Sequence, residues 1–64
     1  MTKVRMERRR YELWLVSPEG EPVELLLATT SKDVVVAEAR WYEELGQSVD
    51  VASSDGRRQW ITWR

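Results

Sequence analysis

Tyr11-Glu12-Leu13-Trp14-Leu15-Val16, running into Ser17-Pro18-Glu19-Gly20-Glu21, is the stretch that decides the fold. Its first six residues are rich in strand formers and place Tyr11, Leu13 and Leu15 on one side. The next five form a turn with a mechanism. Proline presets the backbone at the first turn position, and Gly20 accepts a positive φ, as a three-residue hairpin loop requires. Such a loop sets Ser17 opposite Glu21. Counting outward then pairs Leu15 with Val23, Leu13 with Leu25 and Tyr11 with Leu27, all on one face. Upstream, Val4-Arg5-Met6-Glu7 also alternates, so the strand has a possible earlier start there.

Downstream, Thr30-Ser31-Lys32-Asp33 supplies a hydroxyl cap, with an acid three residues on if Thr30 is the cap. A helix is expected from there to about Leu45, closed by Gly46 in a left-handed conformation. Val34-Val35-Val36 is a poor local choice for a helix, because β-branched side chains lose rotamer freedom. The caps and Ala37-Glu38-Ala39-Arg40 outweigh it. At 100° per residue, Trp41, Val34, Leu45, Tyr42 and Val35 share one arc, with Glu38 near its middle. A third strand over Ser48 to Ser53 and a turn at Ser54-Asp55-Gly56 complete the pattern. Three turn residues pair Ser53 with Arg57, Val51 with Gln59 and Val49 with Ile61, sending Ile61 and Trp63 inward. A two-residue Asp-Gly turn would send Trp60 inward instead.

The expected fold is therefore α+β over residues 1–64 as one domain. It has the order ββαββ, a four-stranded and largely antiparallel sheet, and one helix on one face. Strand order 2-1-3-4 is preferred because it makes every neighbour antiparallel. The expected core is Tyr11, Leu13, Leu15, Val23, Leu25, Leu27, Val34, Trp41, Leu45, Val49, Val51, Ile61 and Trp63.

Composition excludes much chemistry. The 64 residues contain neither cysteine nor histidine, so thiolate catalysis, disulfides and the usual zinc ligands are absent. Glu38 is the one carboxylate in an odd place. It has no accompanying nucleophile or base, so a stem lying over the sheet edge, with its head reaching water or Arg9, is the simpler account. Neither Glu19/Glu21 nor Glu43/Glu44 has the spacing of a calcium loop. The glycines sit in turns rather than in a phosphate-cradling loop. No enzyme activity, cofactor, metal or small-molecule substrate is expected. No apolar run reaches the roughly 18–20 residues of a membrane span, and no signal peptide is visible. A soluble, cytoplasmic protein with no membrane partner is the expectation.

Net charge is −1 but unevenly spread. Lys3, Arg5, Arg8, Arg9 and Arg10 face only Glu7 in the first ten residues, while residues 11–50 hold nine acids against Lys32 and Arg40. Arginines beside tryptophans raise nucleic acid as a partner. Glu12, Glu24 and Asp50 fall on the same sheet face and oppose it. That outer face is the one functional hint. It presents Trp14, Val16, Leu26, Ala28, Ala52 and Trp60, with Arg10 and Arg58 on the same side. Tryptophan and arginine are enriched at interface centres. Trp14, Leu26, Trp60, Arg58 and Arg10 are accordingly the candidate partner-binding residues, for a protein partner or a homodimer. Cross-strand packing that merely stiffens the sheet is the structural alternative.

Ser17-Pro18-Glu19-Gly20-Glu21-Pro22-Val23, Ser53-Ser54-Asp55-Gly56-Arg57 and Ala37-Glu38-Ala39-Arg40-Trp41-Tyr42-Glu43-Glu44-Leu45-Gly46 together resemble a de novo designed ββαββ mini-protein. The resemblance covers the whole chain and implies a non-catalytic scaffold, either a fold demonstration or a binder using the open sheet face. Arg8-Arg9-Arg10, the preference for arginine over lysine and the valine triplet depart from it. The arginine run and the arginine bias suit a small natural interaction protein from a phage or a GC-rich bacterium.

Overall fold

A computed structural model of the chain describes residues 9–54 and 56–63. The possible earlier strand start at Val4 lies outside the described residues. Four strands, β1 (Arg10–Val16), β2 (Pro22–Thr29), β3 (Val49–Ser54) and β4 (Arg58–Ile61), and one helix, α1 (Lys32–Glu44), follow the order ββαββ. The sheet order is β2-β1-β3-β4, and every neighbouring pair is antiparallel. The helix packs over β3, β1 and β2. Beneath it lies a core of Leu13, Val35, Ala39, Val49, Val51 and Trp63.

The first turn forms as its sequence requires. Ser17 N–H donates to the Glu21 carbonyl (2.8 Å) and Gly20 N–H to the Ser17 carbonyl (2.8 Å), with Gly20 at φ 90°. Beyond it the register departs from the simple count. Leu15 pairs with Glu24, Trp14 with Leu25, Leu13 with Leu27 and Tyr11 with Thr29. Two irregularities, between Leu15/Val16 and between Leu13/Trp14, give β2 two residues more than β1 over the same span. Each is a bulge. The sequence Leu25-Leu26-Leu27 has no alternation to resist the slip, since leucine replaces leucine opposite Leu13. The consequence for sidedness is direct. Leu26 and Leu27 both pack against the core, whereas Val23 and Leu25, expected inside, are exposed. Leu26 thus leaves the outer face to which its even position had assigned it.

The helix is rotated from its expected setting. Val35 and Ala39 are fully buried and Val36 and Tyr42 partly packed, while Val34, Trp41 and Leu45 are about half exposed. The small Ala39 lets the helix backbone approach the sheet, so the row Val35–Ala39–Tyr42 faces inward. The more hydrophobic row Val34–Glu38–Trp41–Leu45 is displaced to the flank, and Glu38 is exposed there. The ends of the helix follow their signals. Ser31 Oγ accepts from Val34 N–H (3.2 Å), making Ser31 rather than Thr30 the cap. Thr29 Oγ1 in turn accepts from Ser31 N–H (3.1 Å). At the other end Gly46, at φ 88°, donates to the Glu43 carbonyl, and Gln47 donates to that of Tyr42. That pair of bonds is a complete Schellman motif.

In the second hairpin Ser54 pairs with Arg58, Ser53 with Gln59, Ala52 with Trp60 and Val51 with Ile61. The expected pairing was two residues away, because β3 runs on through Ser54 and the turn begins one residue later. A shift of two preserves sidedness. Trp63 is accordingly 6% exposed in the core, and Trp60 points away from the helix at 47%.

Candidate partner surface on the open sheet face

The pairings arrange the uncovered face in rows across the strands. Arg10, Ser54 and Arg58 form one row, and Ala28, Glu12, Ala52 and Trp60 the next. Leu25, Trp14 and Asp50 form a third. Of the five residues singled out from the sequence, the face brings together Trp14, Trp60, Arg58 and Arg10. Leu26 is replaced by Leu25, which is 45% exposed.

Glu12 organises the centre. Residues two apart on a strand share a face, so its carboxylate reaches the indole of Trp14, whose Nε1–H donates to Oε1 at 3.0 Å. Arg58 Nε donates to the same oxygen, also at 3.0 Å. The Arg58 guanidinium lies 5.2 Å from the centre of the Trp14 ring, a cation–π contact. Strands are spaced about 4.8 Å apart, so β4 and β1 are separated by roughly 10 Å with β3 between them. The Arg58 and Glu12 side chains must therefore meet above β3. Ala52 lies in that path and is fully buried although no helix covers its face. A larger residue there would lift Arg58 off its partners.

Trp14 is thus partly buried and held, with its ring edge and face both occupied. Trp60 and Leu25 sit on β4 and β2, the two edge strands, and keep their apolar surface open. The sequence could have indicated this arrangement through one signal, a lone small residue (Ala52) between Glu12 and Trp60.

The flank row Val34, Trp41 and Leu45 is a second apolar surface that periodicity misassigned to the core. Trp41 meets Tyr42 there in an edge-to-face contact at 5.0 Å. Among the described residues there is no enclosed cavity and no group of three metal-ligating side chains. No helix among them is long and apolar enough to cross a membrane. Comparison with known protein families, with characterised proteins and with solved structures finds no match to this chain.

Proposed function

We propose that this chain is a non-catalytic protein-binding module, built as a designed ββαββ scaffold, that docks a partner on its open sheet face. The observation that carries the reading is the half-exposed Trp60 beside a pre-formed Arg58–Glu12–Trp14 constellation on a face that no element among the described residues covers. Held side chains lose little entropy on binding, so an arginine already stacked and paired offers a rigid contact surface. Trp60 and Leu25 supply the apolar anchors. Nucleic acid is the weaker alternative, because Glu12 neutralises Arg58 and Asp50 shares the face.

A test is selection of a random peptide library on the immobilised chain, with binders mapped by backbone amide shifts. Binders that shift β4 and β2 residues and lose affinity for the Trp60→Ser variant support the reading. Binders that map only to Val34, Trp41 and Leu45, or no enrichment, would overturn it.

A further inference from the structure

β2 is an edge strand, and no described strand pairs with its outer side. Alternate residues of such an edge turn their backbone N–H and C=O groups away from the sheet. Over Pro22–Thr29 only Pro22, at the first position, lacks a donor. The helix bears on the same edge. β2 and β3 both run antiparallel to β1, so α1 joins two parallel strands and makes a right-handed crossover. With Val35 and Ala39 facing the sheet, about 100° per residue on that hand turns Val34, Glu38, Trp41 and Leu45 toward β2. The same count turns Lys32, Val36 and Arg40 toward β3. Burial agrees, since Val36 packs into the core that holds Ile61 and Trp63, while Val34 is half exposed. α1 also runs opposite to β2, which sets Trp41 and Leu45 level with the half of the strand where Val23, Glu24 and Leu25 are exposed.

We infer that this edge is a second docking surface, separate from the open face, and that it takes an extended segment of a partner protein as an added strand beside β2. The overhanging row of Val34, Trp41 and Leu45 covers every second side chain of that segment, and those side chains are aliphatic. Charge sets the rest. Glu24 pairs with Leu15 and so shares the helix side of the sheet, and Glu38 stands exposed in the middle of the overhanging row. No base on β2 or in that row offsets the two acids, so the segment carries a lysine or arginine between its aliphatic residues. The same acids argue against a second copy of this chain. A two-fold pairing of β2 edges would bring Glu24 and Glu38 of both copies together, like charge against like. The two bulges also bend and twist β2. A pliant segment follows such an edge, whereas the edge of another folded sheet does not.

The probe is a blocked peptide of about seven residues, with threonine on one face and valine, lysine and valine on the other, titrated into the full chain and followed by amide shifts. β2 amides and the Trp41 indole should shift. Trp41→Ser should raise Kd at least tenfold, as loss of an aromatic anchor does, and Trp60→Ser should leave it unchanged. Glu24→Lys with Glu38→Lys should raise it about tenfold, an effect that high salt on the parent chain reproduces in part. Circular dichroism checks that each variant remains folded. Backbone pairing has its own signature. Of two peptides N-methylated at alternate residues, one in each phase, one should lose binding and the other keep it, because only alternate N–H groups face β2. No shift in β2 at millimolar peptide, equal binding by both N-methylated peptides, or shifts abolished by Trp60→Ser would each overturn the inference. Sedimentation showing a dimer of the chain alone that Trp41→Ser dissolves would assign the edge to a second copy and overturn it too.

Discussion

Removing Glu12 tests whether the open face is held together as the geometry implies. Its carboxylate oxygen accepts two bonds of 3.0 Å, one from the Trp14 indole and one from Arg58. The Glu12 side chain is 20% exposed and that of Arg58 50%, so solvent screens the pair and its attraction is worth about 1 kcal/mol, near the upper end for surface pairs. The indole bond adds about 1 kcal/mol, and the guanidinium–ring contact about 0.5–1 kcal/mol. Glu12→Ala loses the first two, and Arg58→Ala loses the ion pair and the ring contact while uncovering Ala52. Each single variant should therefore cost about 2 kcal/mol, and the double variant about 3, leaving a coupling of about 1 kcal/mol because the ion pair is counted twice. For a domain of this size, each single variant should lower Tm by roughly 8–16 °C. Urea denaturation followed by tryptophan fluorescence measures all four corners of the cycle. Arg58→Lys should fall between Arg58 and alanine, since a lysine keeps the charge but neither the planar stacking nor the Nε donor. Single effects that add without coupling, to within about 0.3 kcal/mol, would refute the network.

Other outcomes follow from the helix and the core. Ser31→Ala removes the side-chain acceptor for Val34 N–H and should cost about 1 kcal/mol in the same denaturation assay. Gly46→Ala forces a left-handed residue to carry a Cβ; nothing lies within 4 Å of that position, so the cost should be conformational alone, about 1 kcal/mol. Trp41→Ser should change stability by less than about 1 kcal/mol because the ring is half exposed, whereas Trp63→Ala should cost about 3–5 kcal/mol. The latter is comparable to the whole stability expected of so small a domain, and loss of a cooperative thermal transition is the readout.

Turns and caps were legible in the sequence because their chemistry is local. Gly20 and Gly46 mark positive φ, Ser31 is one of two adjacent hydroxyls that could cap the helix, and the antiparallel strand order follows from connection rules. Sidedness was legible in β1, β3 and β4, where the register found keeps the expected residues facing the helix. It failed in β2 and α1 for the same physical reason: both carry more apolar residues than the core can take. In β2, three consecutive leucines and the neighbouring Val23 satisfy several registers about equally, and the bulges that select among them depend on tertiary packing. In α1, Trp41 and Leu45 offer far more apolar area than Ala39, yet closeness of approach favours the alanine row. The candidate surface inherited the first error, exchanging Leu26 for Leu25. Its central network was not legible, because a bond joining Glu12 to Arg58 spans 46 positions of sequence.

A sheet covered by one helix has to protect its central strands on the other side by different means. β3 shows how. Val49, Val51, Ala52 and Ser53 are all buried, although alternate residues of a strand face opposite sides. On the helix side, Val49 and Val51 are covered by α1 and Trp63 in the core cluster. On the other side the joined side chains of Arg58, Glu12 and Trp14 lie over the centre of the sheet, next to the buried Ala52. That cover reaches the centre of the sheet but not its edges, so apolar surface remains at Leu25 on β2 and Trp60 on β4. The open face therefore has a polar, pre-organised middle between two apolar margins, a layout that favours a broad, flat partner over a single inserted segment. A flat surface of comparable width would meet both margins at once. A narrow peptide would engage only one, and should bind correspondingly more weakly than such a partner.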